Sequence, residues 1–177
     1  MPDEGPGADT AWRNARYRTR TAAIAYDALA ENTDLEMAEV WTLAEGVTVA
    51  GAGLAATHQV WDIAADYDQA LRDARSPTWE AALTDPAGHL VRPDDAIGHS
   101  ILRAWSWAAT LIRNDVDSRQ ARYAANTLLL RAGFDWVLLP PGRLRQYRDS
   151  VAAIKRMGNP TRFYQMMLTP CDTAEGG

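Results

Sequence analysis

The feature that most constrains this fold is a helical spacing of apolar residues that recurs along most of the chain. It is strongest over 94–112, where Ile97, Ile101, Leu102, Trp105, Ala108, Ala109 and Ile112 repeat every three or four residues. An apolar face that wide predicts a helix packed on more than one side. The same spacing appears from Asp9 to Glu31, through Trp12, Ala15, Ala22, Ala23, Tyr26 and Leu29. It returns over 55–75, through Val60, Ile63, Ala64, Tyr67 and Leu71. No stretch of useful length alternates with strand period. The expectation is therefore an all-α fold, with at most one short β-hairpin.

Punctuation divides the helices. Asn32-Thr33-Asp34 breaks the first, and Thr33 or Asp34 is expected to cap a short helix over 35–45 that Gly46 stops. Pro77, Pro86, Gly88 and Pro93 interrupt residues 76–95, leaving room for a short helix at 78–83 and a hairpin around Gly88-His89-Leu90-Val91. A helix over 117–132, a short extended run Val137-Leu138-Leu139 before Pro140-Pro141, and helices over 142–157 and 160–168 complete the chain. Residues 1–8 and 169–177 read as loose ends around one domain, 9–168. Trp105 and Trp107, two apart on one helix, are not expected to share the core. Trp41, Trp61, Trp79 and Trp136 are expected to be core anchors.

At 177 residues the chain is long enough for a core of its own. A net charge of −5 argues against non-specific nucleic-acid binding. No apolar run approaches a membrane span, and the acidic N-terminus does not read as a signal peptide. Cys171 is the single cysteine, so no internal disulfide forms. A reducing cytoplasm suits that composition. One cysteine with the scattered His58, His89 and His99 makes no zinc cluster. Arginine outnumbers lysine seventeen to one, which reflects either codon bias or a use for bidentate anion contacts.

Chemistry concentrates at 111–133, LIRNDVDSRQARYAANTLLLRAG. A polar turn carrying Asp115 and Asp117 leads into a helix whose first turns carry Ser118, Arg119 and Arg122. A helix N-terminus presents unpaired N–H groups and a positive dipole, so it suits an anion. Arg119 and Arg122, three apart, share a helix face and are placed to hold one phosphate group. The bland reading stands beside this one. The two aspartates also fit ordinary helix caps, with the arginines paired to them or to water.

This segment resembles a degenerate form of the Fic/Doc signature, H-x-F-x-(D/E)-G-N-G-R-x-x-R, followed by that family's leucine-rich R-A-G helix. Asp115, Arg119 and Arg122 match. The histidine position is Leu111, the phenylalanine position is Arg113, and the G-N-G triplet is Val116-Asp117-Ser118. The clearest resemblance covers 98–168. RLRQYRDSV from Arg143, with Tyr147 at the tyrosine, and PTRFYQMML from Pro160 are similar to the family's closing helices. WTLAEGVT at 41–48 echoes the inhibitory pattern (S/T)-x-x-x-E-(G/N) through Glu45-Gly46, although Trp41 departs from it.

The resemblance implies a fold and a chemistry. The family's histidine is a general base that frees a target hydroxyl to attack a nucleotide. The acidic residue, here Asp115, holds Mg²⁺. The arginines and the turn at Ser118 hold phosphate, and the inhibitory glutamate, here Glu45, blocks it. Leu111 accepts no proton, and general-base catalysis typically contributes on the order of 10²–10⁴-fold. Val116 and Ser118 put side chains where glycines let the backbone approach phosphate. Asp117 adds charge beside it, and is the nearest carboxylate to serve as a replacement base.

His99 is expected twelve residues before Leu111 on one helix, about 18 Å away. His58 lies on another helix. The expectation is a divergent Fic-fold protein that uses an inherited pocket on a nucleotide or another small anionic or phosphorylated substrate. The first alternative is a non-catalytic Fic-like module acting through a protein partner or a homo-oligomer. The second is residual AMP transfer to a protein hydroxyl.

Overall fold

The structure is a computed structural model that describes residues 6–31 and 33–169. It is all-α with one short antiparallel hairpin. The chain divides into two compact units, residues 1–80 with 126–144 and residues 81–125 with 145–177. Cys171 lies outside the described residues.

The first unit opens with α1 (Pro6–Asn14), a π-helical turn over Ala15–Thr19, and α2 (Arg20–Ala30). Helix therefore begins three residues before the expected start at Asp9. The π turn has a consequence for packing. It inserts a residue into the helical track and rotates everything after it. Ala11 is buried before it, Ala15 at its start, and Ile24, Ala25 and Ala28 after it; of the expected stripe Ala23 is buried, whereas Ala22, Tyr26 and Leu29 are half-buried. The Tyr67 hydroxyl donates to the Ala15 carbonyl at 2.6 Å and so supports the turn.

Helix α3 (Met37–Ala44) is short and is capped at Glu36 rather than at Thr33 or Asp34. The Glu36 N–H donates to the Glu39 carboxylate at 2.9 Å, a capping-box contact that sets the start at this point. Gly46, with φ +83°, ends it in the left-handed conformation that glycine adopts without strain. Helix α4 (Leu54–Arg75) buries Val60, Ile63, Tyr67 and Leu71 on one stripe, as its spacing predicts. Trp136 packs on Tyr67 with ring centroids 4.4 Å apart. Asn126 holds the extended run after the motif helix, accepting from Val137 N–H at 2.8 Å.

No helix forms at 78–83. Six residues are too few to sustain one without packing, and this segment has other partners. Arg131 Nη1 donates to the carbonyls of Asp73, Ala74 and Ser76, and its guanidinium lies 5.6 Å from the Trp79 ring. These contacts fix the chain as a turn.

In the second unit β1 (Leu83–Thr84) pairs antiparallel with β2 (Leu90–Val91), forming the expected hairpin. Asp85 closes its loop, accepting from the His89 N–H at 2.8 Å. That bond holds the Asp85 carboxyl below its ordinary pKa. Helix α5 (Ser100–Arg113) starts six residues later than the expected 94. Asp94 diverts the chain, its carboxylate accepting from Ala96 N–H at 2.9 Å in a local turn. His99 is the N-cap of α5, with Nδ1 accepting from Leu102 N–H at 3.5 Å.

Trp105 and Trp107 are both buried, contrary to the expectation from their spacing. Each finds its own neighbour. Trp105 meets Phe163 edge-on, and the Trp107 indole donates to the Val91 carbonyl at 3.2 Å. A helix covered on two sides has no obligatory solvent face. Helix α6 (Ser118–Arg131) passes from the second unit into the first between Ala125 and Asn126. Helices α7 (Leu144–Met157) and α8 (Thr161–Leu168) follow, separated at Gly158. Trp41 and Trp61, expected as core anchors, are each 40% exposed. Among the described residues no helix is long and apolar enough to cross a membrane.

Candidate functional site

The turn between α5 and α6 carries most of the candidate residues, and each has a backbone role there. Asp115 has φ +60°, the left-handed region. Asp115 N–H donates to the Ile112 carbonyl at 3.1 Å, and Val116 N–H to the Leu111 carbonyl at 3.0 Å. This pair of bonds is a Schellman closure, in which the left-handed residue is usually glycine and the two flanking positions are apolar. Here Asp115 takes the left-handed place, and the flanking positions are Leu111 and Val116. Both of those side chains are buried.

Asp117 starts the next helix. Its carboxylate Oδ1 accepts from Arg119 N–H at 2.9 Å and from Gln120 N–H at 3.1 Å. Its backbone carbonyl accepts from Ala121 N–H at 2.9 Å. This is a complete N-cap, worth about 0.5–2 kcal/mol. The anion at the start of α6 is thus the chain's own carboxylate. Ser118 is half-buried in the first turn, and its backbone carbonyl accepts from the Tyr147 hydroxyl at 3.1 Å.

The arginines differ. Arg119 is half-buried, whereas Arg122 is only 3% exposed. Arg122 Nε donates to the Tyr147 hydroxyl at 3.0 Å, and its guanidinium carbon lies 4.8 Å from the Tyr147 ring centroid. The Tyr147 hydroxyl therefore relays between the Arg122 guanidinium and the Ser118 carbonyl. Tyr147 lies outside the core of the motif, 25 residues beyond Arg122. Only its place in the R-x-x-Y segment signals it in the sequence, and spacing alone does not foretell the contact.

Asp115 points outward with its side chain 79% exposed, and Lys155 Nζ lies 4.0 Å from its carboxylate. An exposed pair of this kind contributes little to stability. Among the described residues no three His, Cys, Asp or Glu side chains come together as a metal site. Asp115 is one carboxylate, and Mg²⁺ held by one carboxylate depends on phosphate oxygens and water for the rest of its shell.

Glu45 belongs to the first unit. Its carboxylate accepts from the Thr21 hydroxyl at 2.6 Å at the C-terminal end of α3. The neighbouring Arg20 bridges that end of α3 to α4, donating to the Ala44 carbonyl at 2.9 Å and to both Asp68 carboxylate oxygens. His58 is exposed on α4, its ring stacked on Trp61 at 6.0 Å. Comparison with protein-family models, curated proteins and solved structures finds no match to this chain.

Proposed function

We propose that this chain is a non-catalytic, Fic-like module that acts through a protein partner, its nucleotide-transfer motif reduced to a structural joint. One observation carries the reading. Asp117 Oδ1 engages the N–H groups of Arg119 and Gln120, donors that a phosphate at the start of α6 would need. A phosphate there must displace a carboxylate and then sit beside it, which is unfavourable without an intervening cation.

Two further features support the same reading. Leu111, at the position of the signature's histidine, has no proton-accepting group, and its side chain is buried. Arg122 is turned into the core toward Tyr147.

The alternative is a divergent transferase that uses Mg²⁺ and a nucleotide or another anionic substrate. It draws on one feature, the exposed Asp115 carboxylate, which is accessible to a cation. Arg119 and Ser118 would then hold phosphate, and Glu45 would regulate access.

Label transfer from Mg²⁺-nucleotides onto protein, for the wild type and for Leu111→His, separates the readings. The module reading expects no transfer from either. Transfer by the wild type contradicts it, and transfer only by Leu111→His would mean that a working phosphate site survives behind the missing base.

A further inference from the structure

Charge is distributed very unevenly along this chain. Residues 21–71 hold nine carboxylates and no lysine or arginine. Residues 143–162 hold six cations and one carboxylate, Asp149. The acidic stretch also carries the exposed tryptophans. On α3, Met37 and Trp41 lie one turn apart and are 36% and 40% exposed. On α4, Leu54, His58 and Trp61 follow one another at helical spacing, all exposed.

The helices that carry the two rows, α3 and α4, pack on each other. Trp61 lies two turns before Asp68 on the same stripe of α4. Arg20 joins Asp68 to the last carbonyl of α3, at Ala44. The same stretch carries exposed carboxylates at Glu31, Asp34, Glu36, Glu45 and Asp62. Large aromatic side chains with a polar rim are the composition of an interface rather than of an ordinary solvated helix pair.

The complementary surface is on α7. Tyr147, Ser150, Ala153 and Ile154 are buried, leaving Arg145, Arg148, Lys155 and Arg156 on the exposed side with one carboxylate, Asp149. Met157 ends that helix 71% exposed, an apolar knob beside the cations.

We propose that the acidic, tryptophan-bearing face of α3 and α4 receives α7 of a second copy of the chain. The occupant follows from charge and shape together. Arg20, the cation beside the face, is already held by Asp68 and the Ala44 carbonyl, and the chain's basic helix offers four cations and an unbranched apolar side chain suited to an aromatic surface. The contact is heterologous: each copy gives one face and accepts the other, so association continues beyond the dimer or closes as a ring. It involves neither the α5–α6 turn nor the fate of the motif, and stands apart from the functional reading above.

Sedimentation velocity across protein concentration, at low salt and at about 0.5 M salt, tests it, because screening at high salt weakens such a contact. The wild type should self-associate at low salt and dissociate at high salt. Two charge-reversed variants make the test specific, one carrying Arg145→Glu and Arg156→Glu, the other Asp34→Arg and Asp62→Arg. All four positions are exposed, and circular dichroism checks that both variants fold. Each variant alone should be monomeric, and a mixture should associate, because a native pair of faces survives between them and the two reversed faces are again opposite in charge. A wild type that stays monomeric at low salt overturns the proposal. So do folded variants that still self-associate, or a mixture that does not pair.

Discussion

Val116 N–H donates to the Leu111 carbonyl at 3.0 Å, and the side chains of both residues are buried. Two positions at which this chain departs from the Fic-like signature are thus the apolar flanks of a helix closure.

Between them, Asp115 takes the left-handed place at φ +60°. A residue with a Cβ pays about 1–2 kcal/mol for that conformation. Asp115→Gly should therefore raise stability by about 1 kcal/mol, and Asp115→Val should lower it by at least as much. Urea unfolding of both variants checks this. A glycine variant less stable than wild type would mean that the Asp115 carboxylate, rather than the backbone, holds the turn.

Leu111→His places a polar ring at a position with no solvent exposure. Loss of buried apolar contacts together with burial of a polar group should cost about 2–5 kcal/mol. Thermal unfolding would reveal it as a clearly lowered midpoint. Unchanged stability would mean that the site already accommodates a histidine, which favours the transferase alternative.

Tyr147→Phe keeps the ring beside Arg122 and removes the oxygen to which Arg122 Nε donates. Hydrogen bonds to charged groups contribute about 1.5–3 kcal/mol, and this one is buried. A loss of that size is expected in chemical denaturation. A neutral effect would show that the ring contact alone holds the guanidinium.

Tyr67 gives the alkaline limit. Burial pushes its phenol well above the ordinary value, with the hydrogen bond from the Thr19 side chain opposing the shift. The folded state therefore favours the protonated form. Its contribution is complete below the unfolded value of about 10 and is lost as pH rises from there through the folded pKa. Stability should fall above about pH 10. Tyr67→Phe should lose about 1 kcal/mol at neutral pH, from the bond to the Ala15 carbonyl, and show a shallower alkaline decline. An equally steep decline in the variant would place the alkaline titration elsewhere.

Much of the helical framework is legible in the sequence because apolar spacing and glycine stops act locally. Gly46 ends α3, Gly88 lies in the hairpin loop, and the stripe of α4 is buried as read except at the half-buried Ala64. What escapes is set by tertiary partners or by side-chain competition. Arg131 gathers three carbonyls and leaves 78–83 without a helix. Asp94 delays α5, and the π turn at Ala15–Thr19 rotates a stripe that a fixed period cannot follow. At the candidate site, the capping role of Asp117 is readable from its place before a helix, whereas Asp115, also expected as a cap, instead ends α5 in the left-handed conformation with its carboxylate turned outward. The Arg122–Tyr147 contact is not, because it joins residues 25 apart.

On the proposed reading, the Asp117 carboxylate closes the start of α6 to phosphate. Calorimetric titration of the wild type and of Arg119→Ala with a panel of Mg²⁺-nucleotides tests it most directly. The account predicts no saturable binding by either protein. Binding by the wild type that Arg119→Ala abolishes would contradict it and return the chain to the divergent-transferase reading.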